Sequence, residues 1–331
     1  MKAAIFEQFG EPAEVLRVSE VEPTQPMPGQ VRVRMLASPI NPSDLLFIQG
    51  RYGLKAKPPA VPGFEGVGVV EGSGGGLLGW LRKGKRVVVL NDRSGNWQEE
   101  VIVPARQVVP VPAALSDEQA ASFFVNPATA LVVTRHVLHI RPGEWLLQSA
   151  AGGALGKMII RLSKRDGFRT INLVRRREQV EELKQLGADH VLVEQDGPIA
   201  EQVRRVTDGK GVRCAMDPVG GETGSAVVAS LSADGHAVPY GLLSGQPISI
   251  DPRFLITGSK RVEGFWLTDW VKRQGVITML KLFRQVRRLM QDNVLTTDVG
   301  EVFTLERVQD AVREAARPGK AGKVLLRIAS H

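Results

Sequence analysis

The amino-acid sequence predicts an α/β chain in two parts: a mostly β first part, then a doubly wound parallel sheet with helices on both faces. Three observations predict it. A length of 331 residues exceeds what one small core holds, since domains run to about 100–200 residues each, and two are expected. Up to about Pro112, short β-like runs at 31–35, 66–70, 86–90 and 100–103 are separated by turn residues. From about Leu115 onward, strands alternate with helical stretches through short connections, the pattern of a parallel sheet covered on both faces.

In the second part, residues 145–149 read as the first buried strand, and after Gly153 the residues Leu155, Met158, Ile159 and Leu162 recur at helical spacing. A strand at 170–174, a helix at 178–186 and a strand at 190–193 follow. Another helical stretch leads to strands at 212–216 and 237–240, completing a Rossmann-type succession. A basic amphipathic helix at 276–291 and a last strand at 323–328 close the chain and are expected to return to the first part. The expected boundaries are 1–122 for the first domain, 123–265 for the second and 266–331 for the return.

Hydrophobic residues make up 43% of the chain and charged residues 24%, a water-soluble globular composition. No run approaches the roughly 18 uninterrupted apolar residues of a membrane span. The start, Met1-Lys2-Ala3-Ala4-Ile5-Phe6, leads into a strand without the character of a signal or transit peptide, so the cytoplasm is the expected location. A net charge of +8 raises nucleic acid as a partner. The 43 basic residues are, however, mixed with 35 acids, aromatics reach only 5%, and no nucleic-acid motif is present; nucleic acid is not an expected partner. A basic surface also suits phosphorylated cofactors and acidic carriers. The single cysteine, Cys214, excludes an internal disulfide and a cysteine-rich metal cluster within one chain.

Two glycine motifs compete for a phosphate-binding role. Gly74, Gly76 and Gly79 fit GxGxxG literally, but a phosphate loop must open a helix whose N–H groups hold the diphosphate. Trp80-Leu81-Arg82-Lys83-Gly84-Lys85 and then a strand follow, so these glycines are expected to form a turn between strands. The second motif, Ala151, Gly153 and Gly156, is weaker as a pattern and stronger in context, because a buried strand precedes it and an amphipathic helix starts within it. Gly153 lets the backbone approach phosphates, and Gly156 lets the helix pack against the sheet. At the end of the next strand, where a carboxylate would accept bonds from an adenosine ribose, stand Arg175, Arg176 and Arg177. Three adjacent guanidiniums suit the 2′-phosphate of NADP, while Glu178 reads as the start of the next helix.

In these residues the chain resembles the medium-chain dehydrogenase/reductase superfamily, and within it the mitochondrial trans-2-enoyl-thioester reductases of fatty acid synthesis. The likeness runs over nearly the whole chain. It is carried by Asn41-Pro42-Ser43-Asp44, Ile48-Gln49-Gly50-Arg51-Tyr52-Gly53, Asn126-Pro127-Ala128-Thr129-Ala130, the stretch from Arg169 through Val174 to Arg175, and Gly264-Phe265-Trp266-Leu267. The resemblance implies a GroES-like first domain, a homodimer, and Tyr52 as proton donor. It also implies NADPH contacts at Asn126 and Thr129, at Gly152, Gly153, Ala154 and Leu155, and at Arg175, Arg176 and Arg177. Further contacts are implied at Tyr240, Gly241, Leu242 and Leu243, at Phe265, Trp266, Leu267 and Thr268, and at Lys323. Two departures stand out: Ala154-Leu155 where Gly-Val is common, and Lys85 where an acid is common.

Zinc-dependent relatives carry Gly-His-Glu where this sequence has Gly63-Phe64-Glu65. Phenylalanine cannot bind a metal, and with Cys214 alone a tetrahedral site of the usual ligands cannot be built. His136 and His139, three apart on an expected helix, have no third ligand nearby and read as surface or packing residues. No metal is expected.

Reducing an activated double bond without a metal needs a hydride from the cofactor, a positioned alkene and an acid. Tyrosine, with an ordinary pKa near 10, stays protonated and can be that acid. The other reading of Tyr52 is a turn residue before Gly53. Asn41 is expected beside the substrate, and Trp266 and Trp270 wall an apolar acyl pocket or belong to the core. Arg284, Arg287 and Arg288 on the closing helix form a solvated face, or meet an acidic acyl carrier protein or the phosphates of coenzyme A. The expected function is NADPH-dependent reduction of an enoyl thioester. An NADPH:quinone reductase is the alternative within the same fold, and a non-catalytic protein that binds NADPH or nucleic acid is the alternative from another class.

Overall fold

Two large sheets, and a two-stranded one of Lys2–Phe6 and Leu16–Glu20, organise the chain in a computed structural model that describes residues 1–91 and 95–329. The two large sheets belong to two units, Met1–Val125 with Thr296–His331, and Asn126–Leu295.

In the first unit, burial alternates along the start of Gln30–Pro39, so Val31, Val33 and Met35 point into a core shared with Val87, Val89, Val101 and Val103. The sheet runs in the order Val299–Thr304, Lys323–Arg327, Gln30–Pro39, Glu65–Ser73, Arg86–Leu90 and Val108–Pro110, with Glu100–Pro104 also paired to Gln30–Pro39. All these pairings are antiparallel except that of the two C-terminal strands. The expected return of the last strand is therefore present, with Leu326 opposite Ser38. It begins at Thr296, however, and not near 266. The helix Val276–Gln291 buries Leu282, Val286, Leu289 and Met290. It is tied within the second unit by Arg135 to Gln285 at 3.5 Å, and the residue after it, Asp292, accepts from Arg165 at 2.8 Å.

The second unit carries six parallel strands in the order His190–Val193, Arg169–Val174, Trp145–Gln148, Val212–Asp217, Leu231–Pro239 and Arg261–Val262. By chain position this is third, second, first, fourth, fifth, sixth, the Rossmann order, whose ligands bind beyond the carboxyl ends of the strands. The helix Ala154–Asp166 buries Leu155, Met158, Ile159 and Leu162 on one stripe and stops at Gly167, whose φ of 79° suits a left-handed cap. Each such side chain contributes about 1.5–3 kcal/mol on burial. That packing fixes where the helix's first turn points.

Two expectations need correcting. Gly74, Gly76 and Gly79 do not form a simple turn: a six-residue helix, Leu77–Arg82, starts after Gly76 and holds Gly79 within it. It connects the antiparallel strands Glu65–Ser73 and Arg86–Leu90, so the motif still lies outside any β-α-β unit. His136 lies in a π-helical stretch, Val132–Val137, and His139 beyond it at φ 45°. No helix among the described residues is long and apolar enough to cross a membrane.

Candidate cofactor and proton-donor sites

The turn from Trp145–Gln148 into Ala154–Asp166 is the second glycine motif. A Cβ on Gly156 would lie 2.4–2.7 Å from backbone atoms of Ala151, so only glycine allows this helix to sit so close to the strand it leaves. A Cβ on Gly153 would meet only the Ala150 carbonyl oxygen, at 3.2 Å, so no other part of the chain crowds that side of the loop. Ala150 holds φ 50°, an uncommon value for a residue with a side chain. Gln148 Nε2 donates to the Gly156 carbonyl at 3.1 Å and to Asn172 Oδ1 at 2.7 Å, joining the first and second strands of this sheet to the start of the helix. Ala154 and Leu155 open the helix, and Leu155 is buried. A Cβ on Gly152 would run into the carboxamide of Gln179, a flexible neighbour that sequence reading missed.

Arg175, Arg176 and Arg177 follow the strand Arg169–Val174 and are all exposed. They are not equivalent. Arg177 is ion-paired with Asp196, whereas the guanidiniums of Arg175 and Arg176 pair with no carboxylate among the described residues. Glu178 is the N-cap of Gln179–Gln185, at the start of the next helix as its place in the sequence suggests.

Further along the carboxyl ends of the strands, Tyr240 N–H donates to the Asp217 carbonyl at 2.9 Å and Leu243 N–H to the Pro218 carbonyl at 2.9 Å. The loop holding Tyr240, Gly241, Leu242 and Leu243 thus runs beside the one after Val212–Asp217. Burial, and after it the charge of Asp217, hold the Tyr240 phenol well above its ordinary value, so it stays protonated. Phe265 N–H bonds the Pro239 carbonyl at 2.9 Å, and Trp266 caps the helix Leu267–Lys272, which carries Thr268. Trp270, on that helix, lies 5.8 Å ring to ring from His136, so this histidine is a packing partner. Asn126 and Thr129 lie on the helix Val125–Leu131, with Thr129 buried.

The remaining expected residues are in the first unit. Tyr52 is half-buried, its ring 5.2 Å from that of Phe64, which in turn packs on Phe47 at 5.3 Å. Where zinc-dependent enzymes place a ligand, this chain places an aromatic ring. Beside it lies a buried polar cluster that sequence reading only partly found. Lys323 Nζ donates to Asn41 Oδ1 at 2.5 Å, and Asn41 Nδ2 donates to Glu65 Oε1 at 3.1 Å. Asp44 accepts from the N–H groups of Asn41 at 2.7 Å and Phe64 at 3.1 Å. Glu65 Oε2 accepts from the N–H groups of Phe124 and Val125 at 3.0 and 2.9 Å. Burial pushes Asp44 up to about 7, raises Glu65 and lowers Lys323 to about 8. Lys323, expected to contact the cofactor, and Asn41, expected beside the substrate, are thus joined to each other.

Among the described residues no three His, Cys, Asp or Glu side chains are placed to hold a metal ion. Cys214 is buried and its thiol is pushed up to about 12 by desolvation, the opposite of a metal-binding or nucleophilic thiolate. Metal analysis of the purified protein is expected to find no stoichiometric zinc, and chelator to leave turnover unchanged. One zinc per chain with chelator-sensitive turnover overturns this.

Comparison with known proteins places these features in a lineage. Residues 154–285 match the family model described as zinc-binding dehydrogenase, and residues 27–113 that of the alcohol dehydrogenase GroES-like domain. The mitochondrial enoyl-[acyl-carrier-protein] reductase of Xenopus tropicalis is 33% identical over 98% of this chain and 95% of its own, and that of Rattus norvegicus 32% over 98% and 88%. Among solved structures, the quinone oxidoreductase of Escherichia coli complexed with NADPH superposes with a TM-score of 0.90 at 26% identity, over 99% of this chain and 100% of that one.

Proposed function

We propose, for a chain that belongs to the medium-chain dehydrogenase/reductase family, that it reduces the 2,3 double bond of an enoyl thioester. It is an NADPH-dependent oxidoreductase. The glycine turn fits the diphosphate of that cofactor, because Gly156 seats the helix and Gly153 leaves its side of the loop uncrowded. Arg175 and Arg176, uncompensated at the end of the second strand, fit its 2′-phosphate. Asn126, Thr129, the loop 240–243 and the segment 265–268 complete the reading of the cofactor site. When bound, NADPH supplies the hydride that adds to the β carbon.

The observation that carries the substrate reading is the packing of Tyr52 on Phe64: a phenol takes its place beside the ring that stands where a metal ligand would be. Tyr52 gives its proton to the α carbon as charge on the thioester carbonyl collapses, and the resulting phenolate is reprotonated by water. Trp266 and Trp270 wall the acyl chain in this reading. A coenzyme A or acyl-carrier thioester as substrate, a homodimer and a cytoplasmic location belong to it as well.

Quinone reduction is the second reading, favoured by the similarity to the Escherichia coli quinone oxidoreductase. NADPH oxidation measured side by side with crotonyl-coenzyme A, a longer enoyl thioester and a quinone separates the two. The highest kcat/KM is expected with an enoyl thioester; a quinone preferred over both thioesters assigns the second reading.

A further inference from the structure

We infer that Asp217 is the positioning residue of the cofactor site, holding the diphosphate loop and the loops on its nicotinamide side in one arrangement. The inference rests on the cofactor reading above and names a residue that this reading did not use.

Asp217 ends the fourth strand in chain order, Val212–Asp217, next to the first strand in the sheet, and is 2% exposed. No cation pairs with its carboxylate among the described residues. Three donors from two loops surround it instead. Ser149 Oγ, at the root of the glycine turn, donates to Oδ1; the N–H of Val219 donates to the same oxygen at 3.1 Å, and the N–H of Gly220 to Oδ2 at 2.7 Å. Its backbone carbonyl accepts from Tyr240 N–H, and the neighbouring Pro218 and Val219 carbonyls accept from Leu243 and Ser244 N–H, each at 2.9 Å. A Cβ on Gly224 would lie 2.6 Å from Asp217 Oδ2, so the next helix packs directly against the carboxylate.

The side chain thereby joins the carboxyl ends of the first and fourth strands, and the loop it holds is bonded through backbone carbonyls to the loop after the fifth. The glycine turn includes Ala150 at positive φ, a conformation that persists only where its surroundings impose it. Ser149, directly before it, is fixed through Asp217. A carboxylate accepts all three donors. A carboxamide cannot, because its nitrogen turns a donor toward at least one N–H. Arg175 and Arg176, read as the 2′-phosphate site, follow the end of the second strand and take part in none of these bonds.

Asp217→Asn therefore separates the two ends of the cofactor. Calorimetry with NADPH and with 2′-AMP, which carries only the adenosine and its 2′-phosphate, reads the difference, and thermal melting reports the fold. NADPH Kd is expected to rise about tenfold, which is about 1.4 kcal/mol, while 2′-AMP binding stays within about twofold. Ser149→Ala, which removes one donor and keeps the carboxylate, is expected to give a smaller change of the same kind with an unaltered melt. It keeps the test open should Asp217→Asn fail to fold. Unchanged NADPH binding in both variants, or equal loss of NADPH and 2′-AMP, overturns the inference. Wild-type protein that binds neither ligand overturns the cofactor reading itself, a result distinct from either.

Discussion

Tyr52→Phe is expected to lower kcat for enoyl-thioester reduction by about 10²–10⁴, the usual worth of a positioned acid. The substitution removes one hydroxyl and keeps the ring that packs on Phe64. Thermal stability and NADPH affinity should therefore change little, and KM should move less than kcat. Quinone reduction is the internal control, since an oxygen of the product takes its proton from water more readily than a carbon does. It should fall less. Near-normal enoyl reduction at saturating substrate, with chemistry shown to limit the rate, would make Tyr52 a turn residue and remove the main support for the thioester reading.

The second large effect concerns cofactor choice. NADPH should exceed NADH in kcat/KM, because each charge-assisted bond that a 2′-hydroxyl cannot make is worth about 1.5–3 kcal/mol, or roughly ten- to a hundredfold. Arg175→Ala and Arg176→Ala should each lose most of one such factor with NADPH and little with NADH. Arg177→Ala should lose less, because its guanidinium is already engaged by Asp196. Equal efficiency with the two cofactors in the wild type contradicts the assignment; a larger loss at Arg177 than at its neighbours places the phosphate on the Asp196 side.

The second unit was legible because its strands are buried on both faces and its helices on one, so period and apolar run length mark each element locally. His190–Val193 and Val276–Gln291 have the bounds their pattern suggests. The glycine turn was legible for the same reason: strand, turn and helix are contiguous. What pattern missed is made by partners far apart in the chain. Lys323 and Asn41 are 282 residues apart and meet only because the last strands return beside Gln30–Pro39. Ser149 and Asp217, 68 residues apart, meet because the first and fourth strands of the second unit are neighbours. The pairing of Arg177 with Asp196 depends in the same way on adjacent strand ends, so three arginines that look alike in sequence differ in the fold. The helix Leu77–Arg82 escaped because it follows three glycines in close succession, which read as a turn; Gly76 supplies a φ of 88° that starts it.

The central claim is that hydride goes to the β carbon and a solvent-exchangeable proton to the α carbon of an enoyl thioester. The measurement that tests it most directly is the position of label in the saturated product, read by mass spectrometry and NMR. In D2O with unlabelled NADPH, one deuterium is predicted at the α carbon and none at the β carbon. With NADPH deuterated on its transferring face in ordinary water, one is predicted at the β carbon. No saturated thioester in either case, or solvent deuterium at the β carbon, would contradict the account.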